Sequence, residues 1–217
     1  MGCTQSTSAD GTGVTATYNL TPGRYPKIGP ESIMARKAHG TSSTPVQENL
    51  RYGCDFKTAD RICNYNRHFA EHSGYFLGGD RKREFLRAID ESKRRKEPII
   101  FYDSNTGKPL FTAPVNRSWE EWLQESRAHG WPSFRDAEVN WAYVRTLRNG
   151  EAVSIHGTHL GHNLPDAKGN RYCINLVSIA GNPVGDVDDV LPFTDAPNCT
   201  MEQSTTPREE QSMKVNQ

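Results

Sequence analysis

Two runs rich in β-branched and aromatic residues, "NWAYVRTL" at 140–147 and "EAVSIHG" at 151–157, meet across Asn149-Gly150. Asn-Gly between such runs is a strong hairpin signal, because both residues accept the positive φ that tight hairpin turns need. That feature commits the C-terminal half to antiparallel β structure. "PIIFYD" and "YCINLVSIA" read as further strands on the same grounds. Three helical segments complete the pattern. Residues 58–70, "TADRICNYNRHFA", open on a capping Thr58 and place Ile62, Tyr65 and Phe69 on one stripe. Asp80 is placed to cap "RKREFLRAIDESKRRKE", where Phe85, Leu86 and Ile89 form an apolar face that Pro98 ends. Ser118 and Glu121 make a capping box for the third helix, whose Trp119, Trp122 and Leu123 recur at core spacing. The expected fold class is α+β, mainly antiparallel β, with a helical extension over 46–98.

The chain carries 26 basic and 26 acidic residues, and the KRRK run lies in a segment that also holds acids. It reads as a solvated face, so no nucleic-acid partner is expected. Mean hydropathy is −0.75, polar for a wholly folded chain. The Ser/Thr/Gly/Pro-rich leader (1–45) and the stretch from 183 to 217 are therefore predicted to be disordered tails. No apolar run approaches the ~20 residues that cross a bilayer, and an apolar signal core is missing. Five cysteines, at 3, 54, 63, 173 and 199, form no CxxC pair, which suggests reduced thiols in the cytoplasm. "MGCTQS" places Gly2 and Ser6 where a myristoylation signal wants them, with Cys3 open to palmitoylation. Two acyl chains give stable peripheral anchoring where one does not. The expectation is a monomer held at a membrane surface through Gly2 and Cys3.

"THLGHNLPDAKGNRYCIN", residues 158–175, concentrates the chemistry. One reading is a metal site from His156, His159, His162 and Cys173, since zinc takes N and S donors. Residues three apart on a strand point to opposite faces, so Gly157 and Gly161 would have to bend the backbone. A second reading is a polar turn, for which "PDAKGN" is suitable material. The third is thiol chemistry at Cys173, assisted by a histidine as proton carrier. There Asp166 would orient the histidine, and Asn175 would share the strand face of the thiol.

"GKPLF" at 107–111, "HGWPSF" at 129–134, "HLGH" at 159–162 and "RYCIN" at 171–175 resemble, in that order, the methionine-R-sulfoxide reductase family. The resemblance spans roughly residues 99–182. It implies two curved antiparallel sheets and reduction of the R epimer of methionine sulfoxide in oxidised proteins or peptides. By motif match, Cys173 would be the attacking thiolate, and His162 with Asp166 would position water or a proton at the sulfoxide oxygen. Asn175 would hydrogen-bond in the same pocket. His159, Trp131 and Phe134 would contact substrate, Trp131 holding the methyl group on its ring. No tightly bound cofactor is implied; thioredoxin or another thiol would serve as reductant. Many family members hold a structural zinc through two CxxC pairs, whose matching positions here are Asp103, Thr106, Val153 and His156, so zinc is not expected. His129 stands where many relatives carry a resolving cysteine, which leaves Cys63, Cys54, Cys199 or the external reductant. The alternative is a non-catalytic redox-sensing or peptide-binding module on the same fold.

Overall fold

A computed structural model describes residues 25–185. Gly2, Cys3 and Cys199 therefore lie outside the described residues, as do most of both expected tails. The described residues are α+β, with three α-helices and two antiparallel sheets.

Helix α1 (Phe56–Tyr65) starts ahead of the segment the sequence pattern gives. Asp55 is its cap, accepting the Thr58 N–H at 2.8 Å, and Thr58 lies inside the first turn. Ala59, Ile62 and Cys63 form its buried face, whereas Tyr65 and Phe69 are 59% and 64% exposed. The stripe fails because the helix stops at Tyr65, so Phe69 is no longer on it. In α2 (Gly79–Arg95), Gly78 occupies the cap position that Asp80 was expected to hold. Asp80 sits in the first turn, where a carboxylate suits the positive helix end. Phe85 and Ile89 are fully buried, and Leu86 borders the core.

Strands β1 (Ile99–Tyr102) and β2 (Pro109–Ala113) pair as one small sheet. Helix α3 (Trp119–His129) carries the predicted capping box: Ser118 Oγ accepts the Glu121 N–H at 3.2 Å, and the Glu121 carboxylate accepts the Ser118 N–H at 2.7 Å. The second sheet comprises β3 (Ser133–Phe134), β4 (Val144–Thr146), β5 (Glu151–Ser154), β6 (His159–Asn163) and β7 (Tyr172–Ile174). Its order is β3-β7-β6-β5-β4, antiparallel throughout. The β4–β5 hairpin exists, but its loop is longer than two residues. Leu147 donates to the Glu151 carbonyl, and Gly150 alone takes a positive φ, of 89°. "YCINLVSIA" leaves the sheet after Ile174 and closes into a 3-10 turn, Leu176–Ser178.

One apolar cluster joins all these parts. Ile62, Phe76 and Phe85 of the extension pack with Phe101, Phe111, Trp122, Phe134 and Tyr172. The expectation of a structureless leader up to residue 45 fails from residue 25 onward. Tyr25 stacks on Trp141 at 5.0 Å, Ile28 bridges to Thr146, and Met34 joins Leu147 and Val153 in a satellite core. These apolar residues lack periodicity, so only their docking on the sheet reveals them.

Glu71, in the segment after α1, is 3% exposed and crosses to the turn after β7. Its carboxylate accepts the Leu176 and Val177 N–H groups at 2.8 and 3.1 Å, satisfying donors that the turn leaves open. Burial pushes the Glu71 carboxyl up to about 8, against the pull of those two N–H groups. Its folded value thus exceeds the ordinary 4.5, so the folded state holds an extra proton between the two values. Stability is expected to fall as pH rises from 4.5 to 8 on this account. Urea unfolding across that window should show a smaller decline for Glu71→Gln than for wild type.

Candidate active site

The five-stranded sheet aligns four polar side chains in a single row. Ser133 pairs with Cys173, Cys173 with His162, and His162 with Glu151, across β3, β7, β6 and β5. Directly opposed residues on antiparallel strands share a face, with Cβ atoms about 4.5–5.5 Å apart. Their neighbours Phe134, Tyr172 and Leu160 point the other way into the core.

His159 joins the row because β6 bulges. Ala152 pairs with Gly161 but Val153 pairs with His159, leaving Leu160 as the extra residue. One added residue reverses the alternation, so two histidines three apart come to one face. Their rings lie 5.6 Å apart at 65°. Gly161 makes the bulge fit: a Cβ there would lie 2.1 Å from the Cys173 carbonyl oxygen. The bend that the metal reading required is present at Gly161, yet His156 stays outside the group and stacks on Tyr143. Among the described residues, no three His, Cys, Asp or Glu are arranged to hold a metal ion. The four zinc-knuckle positions do not form a donor set. Val153 is fully buried among apolar neighbours, and Asp103 accepts the Thr158 hydroxyl at 2.8 Å.

Cys173 is partly buried, and its environment pulls both ways. Burial raises the thiol above its ordinary range, while the Arg171 charge and hydrogen bonds from Ser133 and Arg171 favour the thiolate. Arg171 Nη1 donates to Sγ, and Ser133 Oγ lies 3.9 Å away. The net shift is upward, so the resting sulfur is less ionised than the sequence argument assumed. For His162, burial comes first and lowers the imidazole, and the nearby His159 and His68 add to this. The facing pair is therefore a thiol and a neutral imidazole. Arg171→Met should raise the Cys173 thiol further. Iodoacetamide alkylation of Cys173 at neutral pH is then expected to be slower than in wild type, with its pH profile displaced to higher pH.

Asp166 does not orient His162. It takes a forked pair from Arg135 at 3.0 and 2.8 Å, and Arg171 Nε lies 3.3 Å from its Oδ2. The Arg135 hydrogen bonds hold the Asp166 carboxyl down to about 2. The "PDAKGN" turn aims it at those arginines, so Asp166 reaches the thiol only through Arg171. Asn175 is likewise committed to backbone, donating to the Leu160 carbonyl and accepting the Glu71 N–H, both at 3.1 Å. Phe134 does not line the site; it stacks on Phe111 at 4.4 Å inside the core. Trp131 is half-buried beside β3, and its Nε1–H donates to the Glu71 carbonyl at 3.1 Å.

The three described cysteines carry free thiols. Cys63 is fully buried against Ser178 and Val177, and burial drives its thiol far up, with the same direction at Cys54. Neither environment suits a resolving thiol, which needs ready ionisation and access.

A groove beside α3, lined by Arg117, Glu125, His129, Arg135, Asp136 and Asp166, opens beyond the Asp166 pair. Neither Cys173 nor His162 lines it, so its size does not make it the reaction centre. Sequence reasoning also missed Ser133, Glu151, Arg67 and Glu71. Ser133 lay within the quoted "HGWPSF", and Glu151 is the one charge in a fully buried strand. No protein-family model matches the chain.

Proposed function

We propose that the chain is a thiol-dependent methionine-R-sulfoxide reductase working through Cys173 without zinc. The observation carrying this reading is the cross-strand pairing of Cys173 with His162, flanked by Ser133 and by Arg171 on the sulfur. In the proposed cycle, neutral His162 takes the thiol proton as Cys173 attacks the sulfoxide sulfur. The imidazolium returns that proton to the sulfoxide oxygen, and the hydroxyl then passes to the Cys173 sulfur as both the substrate S–O bond and the transient bond between the two sulfurs break. Methionine leaves and Cys173 is oxidised to a sulfenic acid. An external thiol displaces water from it, forming a mixed disulfide, and a second thiol restores Cys173. The full burial of Cys63 and the raised thiol of half-buried Cys54 favour direct recycling by thioredoxin or a small thiol.

Trp131 would supply the apolar wall for the methyl group. The proposed substrate is oxidised methionine in proteins or peptides, met at a membrane surface if Gly2 and Cys3 are acylated. The test is incubation with dithiothreitol and each epimer of dabsylated methionine sulfoxide. Consumption of the R epimer alone is expected; equal consumption of both, or of neither, would overturn the assignment.

A further inference from the structure

Arg67 lies in the helical extension, beyond the end of α1 and outside the stretch that carries the family resemblance. It nevertheless reaches the polar row. Its Nη2 donates to Glu151 Oε2 at 2.6 Å, and its Nε is shared between Oε2 at 3.0 Å and Oε1 at 3.2 Å. Glu31 holds the same guanidinium from the outside at 2.5 Å. Glu151 is almost wholly buried, and its Oε1 meets His159 Nδ1 at 2.7 Å. A buried carboxylate needs partners on both sides, and these two provide them. Burial alone would raise the Glu151 carboxyl, but the hydrogen bonds from His159 and Arg67 hold it below its ordinary value. Ionised, Glu151 accepts only, so the proton of the shared hydrogen bond must sit on His159 Nδ1.

We propose that Arg67 is a positioning residue for His159: by clamping Glu151 it fixes the proton on Nδ1 and leaves Nε2 as the available nitrogen on the sheet face that carries His162 and Cys173. The extension then builds the site rather than merely covering it. Arg67 sets the second imidazole from one end of the row, and the Glu71 carbonyl anchors the Trp131 indole from the same segment. Its consequence for turnover rests on the reductase reading, because His159 matters to rate only if Cys173 reduces sulfoxide.

Nitrogen-15 spectra of the histidines separate the two claims. Wild type is expected to show His159 without the Nε2-protonated neutral tautomer, and Arg67→Met to show that tautomer appear. In the reductase assay Arg67→Met should lose about tenfold or more in kcat with little change in KM, as residues that orient a reacting group do. Arg67→Lys, which keeps the charge but not the fork, should fall between in both readouts, and it carries the test if the methionine variant does not fold. An unchanged His159 tautomer in Arg67→Met, or in Arg67→Lys where that variant stands in, would overturn the proposal. So would unchanged kcat in an active enzyme. A wild type that reduces neither epimer sinks the reductase reading instead, and the tautomer result still decides what Arg67 does.

Discussion

Serine in place of Cys173 is expected to lower R-epimer reduction by at least about 10³-fold, the scale of losing a nucleophile outright. The reason lies in the bond that must form. Sulfur can accept the sulfoxide oxygen as a sulfenic acid, whereas a hydroxyl would have to form a weak O–O bond. A serine hydroxyl is also far less acidic than the thiol it replaces. Because the exchange is nearly isosteric at a partly buried position, the fold should persist, and thermal unfolding within a few degrees of wild type would confirm that the loss is chemical. Dithiothreitol-driven reduction that survives the substitution would end the account of Cys173 as nucleophile. The non-catalytic reading makes a different forecast: dimedone trapping of a sulfenic acid at Cys173 after peroxide, without turnover of either epimer.

What could be read from the sequence, and what could not, divides along physical lines. The hairpin at Asn149-Gly150, the Ser118 capping box and the Phe85/Ile89 face are local signals, and the structure contains all three. Cys173 and His162 stood out as candidates because their residue types are rare and close in sequence. Their facing one another depends on strand register, which sequence spacing did not reveal. The bulge at Gly161 had a sequence signal, a glycine inside a strand-like run, but its effect on which way His159 points follows only from the pairing. Asp166 was placed near His162 by proximity in the chain, whereas in space two arginines compete for it and win. Arg67 and Glu71 were invisible as site residues, since each is an ordinary polar residue in a polar segment until the extension folds over the sheet. Tyr65 and Phe69 show the converse. A three-four spacing promised burial, yet Tyr65 stays exposed at the last position of the helix and Phe69 lies beyond its end.

Alanine at Gly161 tests whether the arrangement depends on that bulge. The added Cβ would lie 2.1 Å from the Cys173 carbonyl oxygen and 3.0 Å from the Ile174 Cα, both backbone atoms of the neighbouring strand. No rotamer change relieves such a clash, and the φ of 154° adds strain of its own for an L side chain. Either β6 and β7 separate or the bulge slips. Separation costs about 3 kcal/mol, as overpacking of a tight interior does. For a domain of this size, that is a fall in Tm of about 6–12 °C, measurable by calorimetry. Slippage by one residue would return His159 to the core face and expose Leu160, at a similar cost and with loss of the His159–Glu151 contact. In either case the nitrogen-15 signals of His159 and His162 should shift. A variant that melts with wild type and keeps both histidine signals would mean that the bulge can absorb a methyl group, and that Gly161 is not what brings the two imidazoles to one face.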